Sequence, residues 1–412
     1  MKVPISNVAK YALDNPSSIR EIMNIVADFR KHPEKYPRRL IYFGGGWPQD
    51  PPPESLRRAF IEVIKSDESF LHAVRYPPTR GDPDFLEALI TYEKEIFGRD
   101  VEEPELLSGL GSTDLAAALF FSILDPGDEV ILTNPCYLNY TRQIEIVGRL
   151  GVRIKRWRTV WDGEFRPSLN ELQGLITEKT KLILLVTPGN PDGQVFDEKV
   201  FEGIVDIASE KGVLVGIDVA YRAFHYDTGI PSYLSRPRRE NEIWIATLSK
   251  ELRVPGWRMG YIIADPTLVR AIETIQQATT LCPASPQQLA FVKMLSQNGI
   301  IEELRRFMLE ETPKKYGKVV SEVCNELSRT PQIQYLRPAG GFYVFFDIRK
   351  VMDSSKKFVS ELLEEWQVAL APGIDFGMEG WVRLSFAPVV EDLDLLKEGM
   401  RRIRDFIRSK PS

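Results

Sequence analysis

The feature that most constrains this chain is an alternation that fills its middle. Four short β-rich runs, "DEVILTNP" (128–135), "KLILLVTPGNP" (181–191), "GVLVGIDVAY" (212–221) and "EIWIATLSK" (242–250), each end in turn or polar residues. Between them lie amphipathic stretches such as "DEKVFEGIVDIASEKG" (197–212), which starts at an Asp cap and ends near a glycine. Strands that alternate with helices predict an α/β architecture with a mostly parallel sheet covered on both faces. Polar residues gather just after the runs, at Asn134, Asn190, Asp218 and Lys250. In open α/β sheets the ligand crevice lies outside the carboxyl ends of the strands. These four positions, far apart in sequence, are therefore expected neighbours, although each taken singly is also ordinary turn chemistry.

The 412 residues allow two domains. From about residue 285 the pattern changes to a long helical stretch interrupted near Pro313. A hairpin with a Gly-Gly turn follows in "IQYLRPAGGFYVFFDIRK", then a helix, the short strand "WVRLSFA" and a basic terminal helix. This predicts a large domain over 46–290 and a smaller α+β domain built from 1–45 and 291–412. Ser18 and Glu21 have the spacing of a capping box at an N-terminal helix.

A net charge of −5, with acids and bases interspersed, argues against nucleic acid as a partner. Three widely spaced cysteines, Cys136, Cys282 and Cys324, fit neither a disulfide framework nor a zinc site and point to a reducing compartment. His32, His72 and His225 are too scattered for a usual metal cluster. The N-terminus lacks a signal-peptide core, and no apolar run approaches the roughly 20 residues that span a bilayer. A cytoplasmic protein without membrane contact is expected.

One stretch asks for a ligand. "TLSKELRVPGWRMGY" (247–261) sets Lys250 and Arg258 eight residues apart around a Pro-Gly break. With Asn190-Pro191, Asp218-x-x-Tyr221 and, later, Arg383, the set resembles the class I/II aminotransferases among the fold type I pyridoxal 5'-phosphate (PLP) enzymes. The likeness runs from "FGGGWPQDPPP" to "WVRLSFA", nearly the whole chain. It implies a seven-stranded, mostly parallel sheet flanked by helices in the large domain.

The resemblance also implies roles. Lys250 would hold the cofactor at its aldehyde and later move a proton as a free amine, which needs an amine kept partly neutral by a cationic, partly dry site. Asp218 would face the pyridine nitrogen, and Tyr221 and Asn190 the ring phenolate oxygen. Gly111, Ser112 and Thr113, at a helix start, would receive the phosphate, with Arg258 as a bidentate partner and Thr247 as a further hydroxyl. Tyr137 would stack on the ring, and Tyr76 would reach across a homodimer interface to the neighbouring phosphate. Arg383 would pair with the substrate α-carboxylate, while Gly45 and Gly46 let the loop before Trp47 approach the substrate.

Substrate choice is less constrained. Aspartate-type relatives carry a second cation for the distal carboxylate, after the phosphate arginine or at the helix start. Here "TTLCPASPQQ" (279–288) has no arginine and the helix start has Thr113, although Arg75, Arg80 or Arg253 remain as other routes. Tyr42, Trp47 and Phe376 suit an aromatic or broad range of L-amino donors. The family's usual acceptor, 2-oxoglutarate, completes a ping-pong transamination. β-Lyases share the same motifs, and a non-catalytic PLP-binding effector module is a further alternative.

Overall fold

The computed structural model describes residues 4–16, 18–147, 151–226 and 229–410, and the side chains of Ser18 and Glu21 lie outside the described residues. Its centre is a seven-stranded sheet of β1 (Leu106–Gly109), β2 (Glu129–Asn134), β3 (Arg153–Arg158), β4 (Thr180–Val186), β5 (Leu214–Asp218), β6 (Glu242–Thr247) and β7 (Gly260–Ile263). The spatial order is β1-β7-β6-β5-β4-β2-β3. β2 to β6 pair in parallel, whereas β7 runs antiparallel to both of its neighbours. The inner parallel strands β2, β4, β5 and β6 read as apolar runs because both faces are covered, and Ile183, Leu184, Val215, Ile217, Ile243 and Ile245 are all buried, whereas the edge strand β3 is mostly polar and only partly buried.

The antiparallel β7 follows from the chain between 247 and 260. That segment holds only the short helix Leu248–Glu251 and the 3-10 turn Pro255–Trp257, and the chain returns beside β6 as an antiparallel hairpin. Thr247 faces Gly260, and Gly260 faces Gly109 on β1. These three residues thus form one row at the end of the sheet where Lys250 emerges.

A smaller antiparallel sheet is made of β8 (Gln334–Leu336), β9 (Tyr343–Asp347), β10 (Ala371–Pro372) and β11 (Trp381–Ser385), in the order β8-β9-β11-β10. The expected hairpin is β8-β9. Ile41–Tyr42 pairs in parallel with Val368–Ala369, which joins the start of the chain to this unit. The stretch expected to be one long interrupted helix is Ser285–Leu295, Ile300–Arg305, a π-helical turn Arg306–Glu311, and Thr312–Ser328. The fold is therefore α/β, a large mostly parallel sheet with helices and a smaller α+β part. Among the described residues no helix is long and apolar enough to cross a membrane.

Candidate active site

Three helices complete the frame: α1 (Ser18–Lys31), α2 (Ser112–Ile123) and α3 (Leu138–Val147). They meet the carboxyl ends of β4, β5 and β6 around a cavity of about 340 Å³. Of the fourteen residues to which the resemblance gives a role, eleven line it: Gly46, Ser112, Thr113, Tyr137, Asn190, Asp218, Tyr221, Thr247, Lys250, Arg258 and Arg383, as do Tyr42 and Trp47. Gly45 packs behind the lining against Tyr42 and Pro388, and Gly111 sits beneath Arg258. Tyr76 is 83% exposed and stands outside the cavity. Asn134, the fourth strand-end residue, is also absent from the lining. A larger groove of about 620 Å³, lined by Arg30, Arg38 and Arg39, shares only Tyr42 with the site.

Lys250 lies one turn past the end of β6, and its Nζ donates to the Gly46 carbonyl at 2.7 Å. Burial, followed by the Arg258 charge, lowers its pKa from 10.5 to about 8, while Asp218 opposes the fall. The amine is thus partly neutral near physiological pH. Asp218 is the last residue of β5, and its carboxylate accepts from the Tyr140 hydroxyl and from the Ala220 amide, the latter at 2.9 Å. Burial raises its pKa above the usual value even though both hydrogen bonds favour the anion.

A second chain of contacts leads to the small sheet. Arg383 Nη1 donates to Asn190 Oδ1 at 2.9 Å, and Asn190 Nδ2 donates to the Tyr221 hydroxyl at 3.0 Å. The Tyr221 and Tyr343 hydroxyls are 3.0 Å apart. Arg383 Nη2 donates to the Gly44 carbonyl at 2.9 Å, while its buried Nε has no partner among the described residues. The guanidinium lies against the Tyr343 and Phe376 rings, 4.5 and 4.7 Å from their centroids. A carboxylate arriving in the plane of the fork would satisfy Nε.

At the other end, Arg258 donates to the Pro255 and Leu110 carbonyls, both at 3.0 Å. Its charge is aimed at the start of α2, whose first amides have no intrahelical acceptor. Gly111 has φ +86°, and a Cβ there would stand 2.6 Å from Arg258 Nη2. A Cβ on Gly260 would stand 2.9 Å from the Gly111 backbone. Both glycines keep the cradle open. A guanidinium, a helix N-terminus and a missing Cβ form an anion site. At neighbouring walls stand an amine of lowered pKa and a buried carboxylate. These groups fit the phosphate, aldehyde and ring nitrogen of PLP.

Tyr140 and Tyr343 were not singled out from sequence. Tyr140, on α3, reads as one more apolar position of an amphipathic helix, and Tyr343 stands in a run of apolar strand residues. Only tertiary placement brings one hydroxyl to Asp218 and the other to Tyr221. Beneath the site, Arg222 Nε donates to Glu251 at 2.7 Å, and its Nη atoms donate to Glu93 at 3.0 and 2.6 Å. Tyr92 donates to Glu251 at 2.6 Å and Tyr261 donates to Glu93. Because Arg222 follows Tyr221 and Glu251 follows Lys250, this buried network ties the backbones of two site residues together.

Residues 38–402 match the family model for aminotransferase class I and II. The chain belongs to that family. An aspartate aminotransferase of Thermotoga maritima is 31% identical over 372 residues, covering 90% of this chain and 92% of the relative. An asparagine–oxo-acid transaminase of Streptococcus mutans is 30% identical over 379 residues, with 90% and 92% covered. Among solved structures, an aromatic aminotransferase from Pyrococcus horikoshii superposes with a TM-score of 0.80 at 26% identity, covering 92% of this chain and 98% of that one. The chain is a PLP-dependent aminotransferase, moving an amino group between an amino acid and a 2-oxo acid.

Proposed function

We propose that this aminotransferase takes aromatic or other neutral L-amino acids as donors and returns its amino group to a 2-oxo acid, 2-oxoglutarate by family habit. The observation that carries this is the composition of the walls. Among the described lining residues the cations are Lys250, Arg258 and Arg383, and the remaining surface includes Met23, Tyr42, Trp47, Leu138 and Tyr343. None of the three arginines considered as a distal cation lines the cavity. Arg80 donates to the Leu106 carbonyl and pairs with Glu103, Arg253 pairs with buried Asp50, and Arg75 is exposed.

Bound PLP supplies the electron sink for the charge that develops at the substrate Cα. The chain supplies the rest. Arg383 holds the α-carboxylate through its fork and so orients the Cα–H bond. Lys250 Nζ carries the proton to and from Cα, and its lowered pKa leaves it able to accept one. Asp218, steadied by Tyr140 and the Ala220 amide, would keep a proton on the ring nitrogen. Tyr221 and Asn190 would hold the ring oxygen, Arg258, Thr247 and the start of α2 would hold the phosphate, and Tyr137 would cover the ring. The loop with Gly44, Gly46 and Trp47 excludes water from the substrate side.

Two copies complete two sites in this reading, Tyr76 of each reaching the other's phosphate. It is supported by a strip of exposed apolar residues, Phe70, Leu71, Val74 and Tyr76. The division at 46–290 against 1–45 and 291–412 is supported by the two separate sheets, and a cytoplasmic setting by three free cysteines.

The test is a half-reaction: PLP-loaded protein mixed with one amino acid at a time, without oxo acid, and the oxo acid product identified by mass spectrometry. Phenylalanine or tyrosine should convert at least about tenfold faster than aspartate, the discrimination expected of an apolar pocket. A preference for aspartate, the substrate in the name of the Thermotoga relative, would overturn the reading of the walls. Conversion of no donor would turn attention to β-lyase chemistry.

A further inference from the structure

The loop from Gly44 to Asp50 is tied down at three points. The Gly44 carbonyl accepts from Arg383 and the Gly46 carbonyl accepts from Lys250. Both donors are also the groups that engage substrate and cofactor, so these two ties compete with the ligands. The third is independent of them. Asp50, 4% exposed, lies 3.3 Å from Arg253 Nε, accepts from the Tyr316 hydroxyl at 2.7 Å and has Lys315 Nζ at 3.3 Å.

Arg253 holds the other side of the cavity with the same guanidinium. Its Nη1 donates to the Lys250 and Glu251 carbonyls at 3.1 and 2.8 Å. Its Nη2 donates to Thr312 Oγ1 at 2.6 Å, directly after the π-helical turn Arg306–Glu311. The rings of Phe224 and Phe307 flank it at 4.9 and 4.7 Å. The residue sits at φ +60°, left-handed backbone that disfavours any side chain. A long side chain held in that conformation, three residues after Lys250, marks a local cost kept by its surroundings, and such outliers gather at functional sites.

We infer that Arg253 is a positioning residue: through Asp50 it pins the Gly44–Trp47 loop to the Lys250 turn whatever the ligands do, and so sets the affinity for the amino donor. This rests on the reading of the cavity as the substrate site. Arg253 touches no reacting atom. It acts by keeping the loop at one distance from Lys250 after Lys250 and Arg383 release their carbonyls.

The left-handed backbone makes a selective test available. Arg253→Gly removes the guanidinium and the backbone penalty together, and Asp50→Asn keeps the shape of the partner without its charge. Each variant is compared with wild type by steady-state kinetics of the PLP-loaded enzyme and by amide hydrogen exchange of residues 44–48. The KM for the amino donor should rise about tenfold or more with kcat within about threefold, the signature of lost binding rather than lost chemistry. Exchange should quicken in 44–48 while amides of the large sheet keep their rates. An unchanged KM, or exchange that is unchanged or that quickens equally throughout the molecule, overturns the inference. Should Arg253→Gly not yield folded protein, Asp50→Asn decides by the same two readings. If wild type converts no amino acid, the substrate reading falls, while the exchange rates of 44–48 still judge the clamp.

Discussion

Replacing Lys250 with methionine should stabilise the PLP-free protein at neutral pH, and the gain should fade in alkali. The ammonium is buried next to Arg258 and Arg383, and its pKa falls from 10.5 to about 8. At about 1.4 kcal/mol per pKa unit, the charged form costs the fold about 3 kcal/mol at pH 7. Methionine removes that cost and forfeits the hydrogen bond to the Gly46 carbonyl, worth about 1 kcal/mol, for a net gain of about 2 kcal/mol. The unfolded chain binds the proton more readily between pH 8 and 10.5, so wild-type stability rises with pH across that window. By pH 10 the remaining cost is about 1 kcal/mol, and variant and wild type should be about equal. Paired urea unfolding of both PLP-free proteins, at one protein concentration and at pH 7, 8.5 and 10, measures the difference while other titrations cancel. A difference that does not change with pH would refute the argument that Lys250 is held against its charge.

Two further outcomes follow from the geometry. Arg222→Met leaves Glu93 and Glu251 buried without their main partner and should cost about 3–5 kcal/mol in urea unfolding; a loss below about 1 kcal/mol would mean that the network is dispensable. Gly111→Ala puts a Cβ 2.6 Å from Arg258 Nη2 at φ +86°. It should weaken PLP binding at least about tenfold in a fluorescence titration, a loss of about 1.4 kcal/mol, and unaltered affinity would detach the phosphate cradle from this glycine.

Four strands of the sheet were legible because each is a buried apolar run that stops at polar residues, and three of the four stops, Asn190, Asp218 and Lys250, do line the cavity, whereas the basic edge strand Arg153–Arg158 gave no such signal. Asn134 has the same local signal yet faces elsewhere, beside Gly377, since a strand end specifies a turn and not its direction. The strand order could not be read, because parallel pairing depends on crossovers that leave no mark on either strand. Tyr140 and Tyr343 were hidden for a related reason. A tyrosine on an amphipathic helix or in an apolar strand looks like core until its hydroxyl meets Asp218 or Tyr221. Arg253, one of three arginines left open as a distal cation, was ambiguous because sequence records its charge but not that Asp50 already neutralises it.

The hairpin of β6 and β7 has a consequence for change over time. In the proposed reading, the segment between Thr247 and Gly260 would carry one grip for each end of the same small molecule, and both of its feet are fixed in register on the sheet. On that reading it would act as a ruler whose length is set by the cofactor. Insertions or deletions there would move Lys250 relative to Arg258 and lose both grips at once, whereas the exposed ends of the helices can lengthen freely. Descendants of this chain should therefore differ in length almost anywhere before they differ in length here.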